Sequence, residues 1–267
     1  MIELSPHRLS LSTGIDMDVF TAGDPKNPAI IFLHGFPESH RTWRHQIAHF
    51  ADRFYCIAPD QRGYRGTSKP QAVDAYTADK LTADIFALAD ALHVQQFIIA
   101  GHDWGGAIAW SVALNGQAGA LNPAWAGRVP RAIIANAPHP YIFQRLLITD
   151  MNQRESSQYI RAFRDPANDA LVQEQGLTGL LLKTIKWDKP NAMEPEERAA
   201  LLAPGECRPG FELETGGVHG VEHPGFLDEI QAMGQQAFAD GKTREVLAFD
   251  HQHVMPLALE QCAGDGT

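Results

Sequence analysis

The chain has 267 residues, 44% apolar and 20% charged, enough for one large domain or for a domain with an inserted lobe. Its formal charge of −10 lacks the basic footprint that nucleic acid requires, and no run of about 18 apolar residues offers a membrane span. Three cysteines, Cys56, Cys207 and Cys262, show no CxxC spacing and argue against a disulfide scaffold or a zinc ribbon.

The opening stretch MIELSPHRLSLSTGIDM has no basic segment followed by an apolar one, so a cytoplasmic protein without a secretory leader is expected. Ala29-Ile30-Ile31-Phe32-Leu33 is a continuous apolar run between Pro28 and His34-Gly35, the pattern of a strand buried on both faces. Phe54–Ala58, Gln96–Ala100 and Ala132–Ala135 read the same way. Between the second and third runs, Leu81, Ile85, Leu88 and Leu92 make one helical face, with Thr77 as the expected N-cap. The segment after Gly101 is apolar nearly all round and reads as a helix buried against the sheet.

From Pro138 to about Gly210 the pattern turns helical, with Leu171, Leu177 and Leu180–Leu182 and the helix-like PEERAALLAP. An all-helical insertion in an α/β sheet suggests a lid, so the expected division is an α/β core over 1–138, a helical cap over 139–210 and the remainder of the core over 211–267. After 210 the strand candidates are Glu229–Met233, Val246–Phe249 and His253–Leu257. This last part differs in kind. It holds 11 acidic and 3 basic side chains after residue 200, and every Tyr and Trp lies at or before 187.

The most informative stretch is Ile98-Ile99-Ala100-Gly101-His102-Asp103-Trp104-Gly105-Gly106. A buried strand runs straight into a buried helix, and the tip residue Asp103 has glycine two positions to either side. That is the pattern of an elbow presenting a nucleophile from a strained turn, with glycines admitting the neighbouring chain. An Asp that simply N-caps the helix is the alternative. His34-Gly35-Phe36-Pro37 ends the first buried strand, and the N–H groups of Phe36 and Trp104 are the candidate oxyanion donors, with Pro37 stiffening the loop.

HGFPESHRTWRHQ at 34–46, PDQRGYRGTSKP at 59–70 and GHDWGG at 101–106 resemble the α/β-hydrolase superfamily. They look specifically like its Asp-nucleophile branch of epoxide hydrolases and haloalkane or haloacetate dehalogenases, over roughly residues 15–200. The resemblance implies an α/β-hydrolase fold: a mostly parallel sheet, helices on both faces and a helical cap, with an atypical C-terminal part. It implies a cofactor-independent hydrolase with Asp103 as nucleophile and Phe36 and Trp104 as oxyanion donors, inside motifs formed by His34, Gly35, Pro37, Gly101, His102 and Gly105. His102 is expected to pack beside the nucleophile rather than act as a second base. Ser157–Phe163 resembles the first lid helix of epoxide hydrolases and places Tyr159 on a tyrosine that donates to the epoxide oxygen.

The chain also departs from that pattern. No second lid tyrosine follows Tyr159, and Ala263-Gly264-Asp265 replaces the late Gly-His. Met233-Gly234-Gln235-Gln236-Ala237-Phe238 only faintly resembles the usual Gly-x-x-Asp and has glutamine in place of the acid. Arg65 occupies a position where the RGYG loop usually has glycine. The base and its acid are therefore expected to be absent or displaced, as an altered reading frame or a truncation would leave them. His253 is the candidate base, with Asp228 or Asp240 as its partner. Epoxide hydrolysis to a vicinal diol is the expected function. The alternatives are a haloalkane or haloacetate dehalogenase, and a catalytically impaired relative that binds or traps alkyl electrophiles. The expected partner is a small epoxide or organohalide, not nucleic acid or a membrane, and a homodimer is compatible with this reading. No P-loop, dinucleotide fingerprint or metal-ligand spacing is present, so no metal or other cofactor is expected.

Overall fold

The computed structural model describes residues 3–158, 174, 246–250 and 253–256. Its strands are β1 (Ser5–Ser10), β2 (Asp16–Ala22), β3 (Ala29–Leu33), β4 (Tyr55–Pro59), β5 (Phe97–His102), β6 (Arg131–Ala135), β7 (Val246–Asp250) and β8 (His253–Pro256). Its α-helices are α1 (Arg44–Phe50), α2 (Ala78–Ala91), α3 (Trp104–Ala118), α4 (Pro140–Thr149) and α5 (Met151–Ser156). The described strands form one sheet in the order β1-β2-β4-β3-β5-β6-β7-β8. The pairs β4·β3, β3·β5, β5·β6 and β6·β7 are parallel, and the pairs at either end are antiparallel.

Every residue of β3 is buried, and its alternation feeds two cores. Ile31 and Leu33 join Ile57, Ile99 and Ile134 against Ile85 and Leu88 of α2 and Ile108 and Val112 of α3. Ile30 and Phe32 join Cys56 and Ala58 against Trp43 and Ile47 on the α1 side. Helices on both faces are thus the reason the central strands read as unbroken apolar runs. Fully burying a side chain such as Phe86 or Phe97 contributes roughly 1.5–3 kcal/mol, so these cores hold the sheet.

β4 starts one residue later than its apolar run, and β5 continues to His102, which carries the strand up to Asp103. β1 and β2 escape the apolar-run reading for a physical reason. β1 is exposed almost throughout, while β2 buries Met17, Val19 and Thr21 in alternation with Asp16, Asp18 and Phe20. Thr77 does hold the N-cap position of α2, but its side chain makes no capping bond; its hydroxyl donates to the Asp74 carbonyl at 3.4 Å. Two late strand candidates enter the sheet. β7 extends the parallel set beside β6, and β8 runs antiparallel to it. Tyr159, the leucines of 171–182, PEERAALLAP, Asp228, Asp240 and the 229–233 candidate lie outside the described residues. No helix among the described residues is long and apolar enough to cross a membrane.

Candidate active site

β5 and α3 meet at Asp103. Its N–H donates to the Ala135 carbonyl at 3.0 Å, one step past the β5·β6 ladder, and its carbonyl accepts from Gly106 at 2.9 Å and Ala107 at 3.1 Å as α3 begins. Satisfying a strand on one side and a helix on the other leaves Asp103 at φ 54° and ψ −124°. Such a conformation costs a residue with a Cβ about 1–3 kcal/mol and is sustained by its surroundings. The glycines explain how the surroundings fit. A Cβ on Gly101 would strike the Gly105 carbonyl, and one on Gly105 would strike the carbonyls of Leu33 and His34.

Asp103 stands at the N-cap position of α3 yet makes no side-chain capping bond, so simple helix capping is not the arrangement found. Its Oδ1 instead accepts the Phe36 N–H from the loop after β3 at 3.1 Å. Burial is the largest influence on the carboxyl and raises its pKa above the usual Asp value. The N–H groups of Phe36 and Trp104 and the nearby His102 pull in the other direction without reversing it. The Phe36 N–H thus reaches the carboxyl of Asp103, which sits at the positive end of a buried helix whose first N–H is that of Trp104.

The loop that carries Phe36 is held by several hydrogen bonds. Gln61 donates its backbone N–H to His34 Nε2 at 3.1 Å and its side-chain amide to the His34 carbonyl at 2.6 Å. His34 Nδ1 lies 2.9 Å from the Gly35 carbonyl, and the Gly35 N–H donates to Glu38 Oε2 at 3.0 Å. The Phe36–Pro37 peptide is cis. Further along, Asp60 Oδ1 accepts both the backbone N–H of His40 at 2.8 Å and a contact from its ring at 2.9 Å.

His102 does more than pack. Its Nδ1 lies 3.1 Å from Glu38 Oε2, and its Nε2 lies 3.1 Å from the Asn136 amide nitrogen. The Glu38 hydrogen bond raises the His102 pKa, partly offset by burial. Burial works against the Glu38 charge, but His102 and the Gly35 N–H outweigh it and hold the carboxyl below its usual range. Glu38 is a site residue that sequence reasoning missed, although it is the only acid of the HGFPESHR run. Tyr64 is another. Its ring meets His34 edge-on at 4.6 Å, and burial, with the charges of Asp103 and Glu38, drives its hydroxyl pKa far upward.

Arg65 keeps the left-handed conformation that glycine favours, at φ 46°, and sets its Nε 3.3 Å from Asp60 Oδ2. The glycine-to-arginine departure thus leaves the turn intact and adds a charge contact to a buried carboxylate. Of the remaining site candidates, Tyr159 lies outside the described residues, and His253 is described by its backbone alone. His253 pairs with Asp250, Phe249 pairs with Ala135, and Ala135 pairs with His102. Asp103, Asn136, Asp250 and His253 therefore share one edge of the sheet, with His253 three strands from Asp103, roughly 14 Å at the usual strand spacing. Among the described residues no group of three or more His, Cys, Asp or Glu is arranged to hold a metal ion.

The alpha/beta hydrolase fold family matches residues 28–170. Epoxide hydrolase A of Mycobacterium tuberculosis is 34% identical over 202 residues, which are 74% of this chain and 59% of that protein. The chain thus spans about three fifths of the length of that relative. A solved structure described among novel epoxide hydrolases of the α/β-hydrolase superfamily, from metagenomes of hot environments, is 59% identical with a TM-score of 0.70, covering 87% of this chain and 70% of that one. A variant of an epoxide hydrolase from Bacillus megaterium is 27% identical with a TM-score of 0.69, covering 85% of this chain and 75% of that one. The chain belongs to the α/β-hydrolase fold family and resembles its epoxide hydrolases.

Proposed function

We propose that this protein is an epoxide hydrolase that opens a small epoxide to a vicinal diol through an ester on Asp103. The observation that carries the proposal is the Phe36 N–H donating to Asp103 Oδ1 at 3.1 Å, on a turn held at φ 54°. A carboxylate attacking an acyl carbonyl gives an anhydride, which reverts. Attack on an sp³ carbon gives a stable ester, so Asp at this position suits alkyl electrophiles.

In the proposed sequence, Asp103 attacks an epoxide carbon, the C–O bond breaks, and Tyr159 protonates the alkoxide. Water then adds to the Asp103 carboxyl carbon while His253 takes its proton. The N–H groups of Phe36 and Trp104 stabilise the negative charge that develops on the carboxyl oxygen. Collapse expels the diol alkoxide, which takes the proton of the re-formed Asp103 carboxyl. The proton held by His253 passes to the Tyr159 phenolate, so that all three groups are restored. Residues 139–210 serve as the cap that brings Tyr159 to the substrate, and α4 and α5 open it. His253 and Asp250 stand at the same sheet edge as Asp103 but three and two strands away. His253 therefore acts as base only if its ring reaches across that edge, with Asp250 beside it to orient it. The similar epoxide hydrolases favour an epoxide over an organohalide.

Incubation with styrene oxide and with 1-chlorobutane, followed by product analysis and intact mass, tests this reading. Phenylethanediol is expected from the first and no chloride from the second. Turnover should fall strongly in Tyr159→Phe and in His253→Ala. Chloride release would make the protein a dehalogenase, and a stoichiometric adduct without diol would make it a trap for electrophiles. Neither product nor adduct would remove Asp103 as nucleophile.

A further inference from the structure

We infer that His34 and Gln61 are positioning residues that set the direction of the Phe36 N–H; the inference rests on the reading of Asp103 as nucleophile. His34 is fully buried, and its two ring nitrogens face partners of opposite kind. The Gln61 backbone N–H can only donate, so Nε2, at 3.1 Å, must accept. The Gly35 carbonyl can only accept, so the proton of the neutral ring sits on Nδ1, at 2.9 Å. Burial also lowers the His34 pKa and so favours the neutral ring, despite the charges of Asp60 and Glu38. The backbone on both sides thereby selects a single tautomer.

That tautomer controls the candidate donor because the Gly35 carbonyl and the Phe36 N–H are the two ends of one rigid peptide plane. His34 Nδ1–H grips the carbonyl end, and Asp103 Oδ1 faces the N–H end at 3.1 Å. Gly35 offers no side chain to resist rotation of this plane, and a Cβ there would lie only 2.6 Å from Asp103 Cβ. The site needs glycine for clearance, so rigidity must come from elsewhere. Gln61 supplies it twice, by holding the ring at Nε2 and the preceding peptide at the His34 carbonyl, 2.6 Å away.

The two half-reactions place opposite demands on the Phe36 N–H. In ester formation the carboxylate loses charge, so the donor is not required to stabilise the transition state. In ester breakdown an oxyanion develops, and the donor is required. A loosened peptide should therefore slow breakdown selectively, which a general loss of structure would not do.

The test forms the ester with styrene oxide, follows it by intact mass, and then cleaves it with hydroxylamine in the folded protein. Hydroxylamine adds to the Asp103 carboxyl carbon and expels the diol, leaving a hydroxamate, so cleavage passes through the same oxyanion without needing a water-activating base. His34→Phe is expected to slow cleavage at least about tenfold and to change ester formation by less than about threefold. His34→Asn, which restores an N–H near the Nδ1 position, should recover most of the cleavage rate. Gln61→Met should show a smaller loss in the same step. Wild-type cleavage in His34→Phe, or equal slowing of both steps, would overturn the inference. Failure of His34→Asn to exceed His34→Phe would also overturn it. If the parent protein forms neither ester nor diol, it is the nucleophile assignment that fails, before any variant is compared. Where diol forms too fast for the ester to accumulate, the same comparison is made in the His253→Ala background.

Discussion

Glu38 Oε2 lies 3.1 Å from His102 Nδ1, which ties the loop after β3 to the residue preceding Asp103. Glu38 is held below its usual pKa and His102 above its own. The lowered carboxyl contributes stability above the ordinary Glu value, about 4.3, and loses it as pH falls through the lowered folded value. The raised imidazole contributes below the ordinary His value, about 6.5, and loses it as pH rises through the raised folded value. Stabilisation by this pair is therefore greatest between those two pH values. Glu38→Gln should cost about 1–2 kcal/mol in that window and less on either side, read by thermal melts across pH. The His102 ring signals in NMR titrations should shift their midpoint downward.

Asp103→Asn should abolish ester formation, with a rate loss of at least about 10⁴ and no adduct by intact mass. It should also alter stability with a defined sign. The folded Asp103 pKa is raised by burial, so the wild-type side chain stabilises least once it is ionised. The stability of Asp103→Asn relative to wild type should increase as pH rises from about 3 to 7. A stability of Asp103→Asn that falls relative to wild type over that range would contradict the raised pKa.

Gly35→Ala places a methyl 2.6 Å from Asp103 Cβ and 2.8 Å from its Oδ1. Either the carboxylate or the Phe36 peptide must move. A rate loss of at least about 100-fold is expected, the scale seen when one oxyanion donor is removed. Circular dichroism should show the secondary structure retained, since the clash is local.

Asp84→Asn should destabilise the fold by about 3–5 kcal/mol, measured by denaturant unfolding. Arg62 donates to both Asp84 oxygens, at 2.8 and 2.7 Å, and Thr13 adds a third bond at 2.6 Å. Both partners of the ion pair are buried, so neutralising one leaves a guanidinium without compensation. The pair lies apart from the Asp103 contacts, and residual activity per folded molecule should be close to wild type.

The central sheet was legible because β3, β4, β5 and β6 are covered on both faces and must be apolar at successive positions. β1 and β2 were not, since one is exposed and the other buries a single face. The strand-to-helix turn at Asp103 was legible through Gly101 and Gly105, whose missing side chains record how closely the carbonyls of Leu33, His34 and Gly105 approach. The Glu38–His102–Asn136 chain left no comparable trace. Its members are 64 and 34 positions apart, and nothing in their local spacing shows that they meet.

The residue types and their order by themselves determined the α/β class, the elbow and the identity of its tip residue, because each is encoded within a few neighbouring positions. Charge balance also marked the residues after 200 as a different kind of sequence. Only the tertiary structure decided which hydrogen-bond partners hold Phe36 against Asp103, and that His102 is paired rather than merely packed. Those contacts join β3, β4, β5 and β6, and pairings between strands distant in sequence exist only once the sheet has assembled.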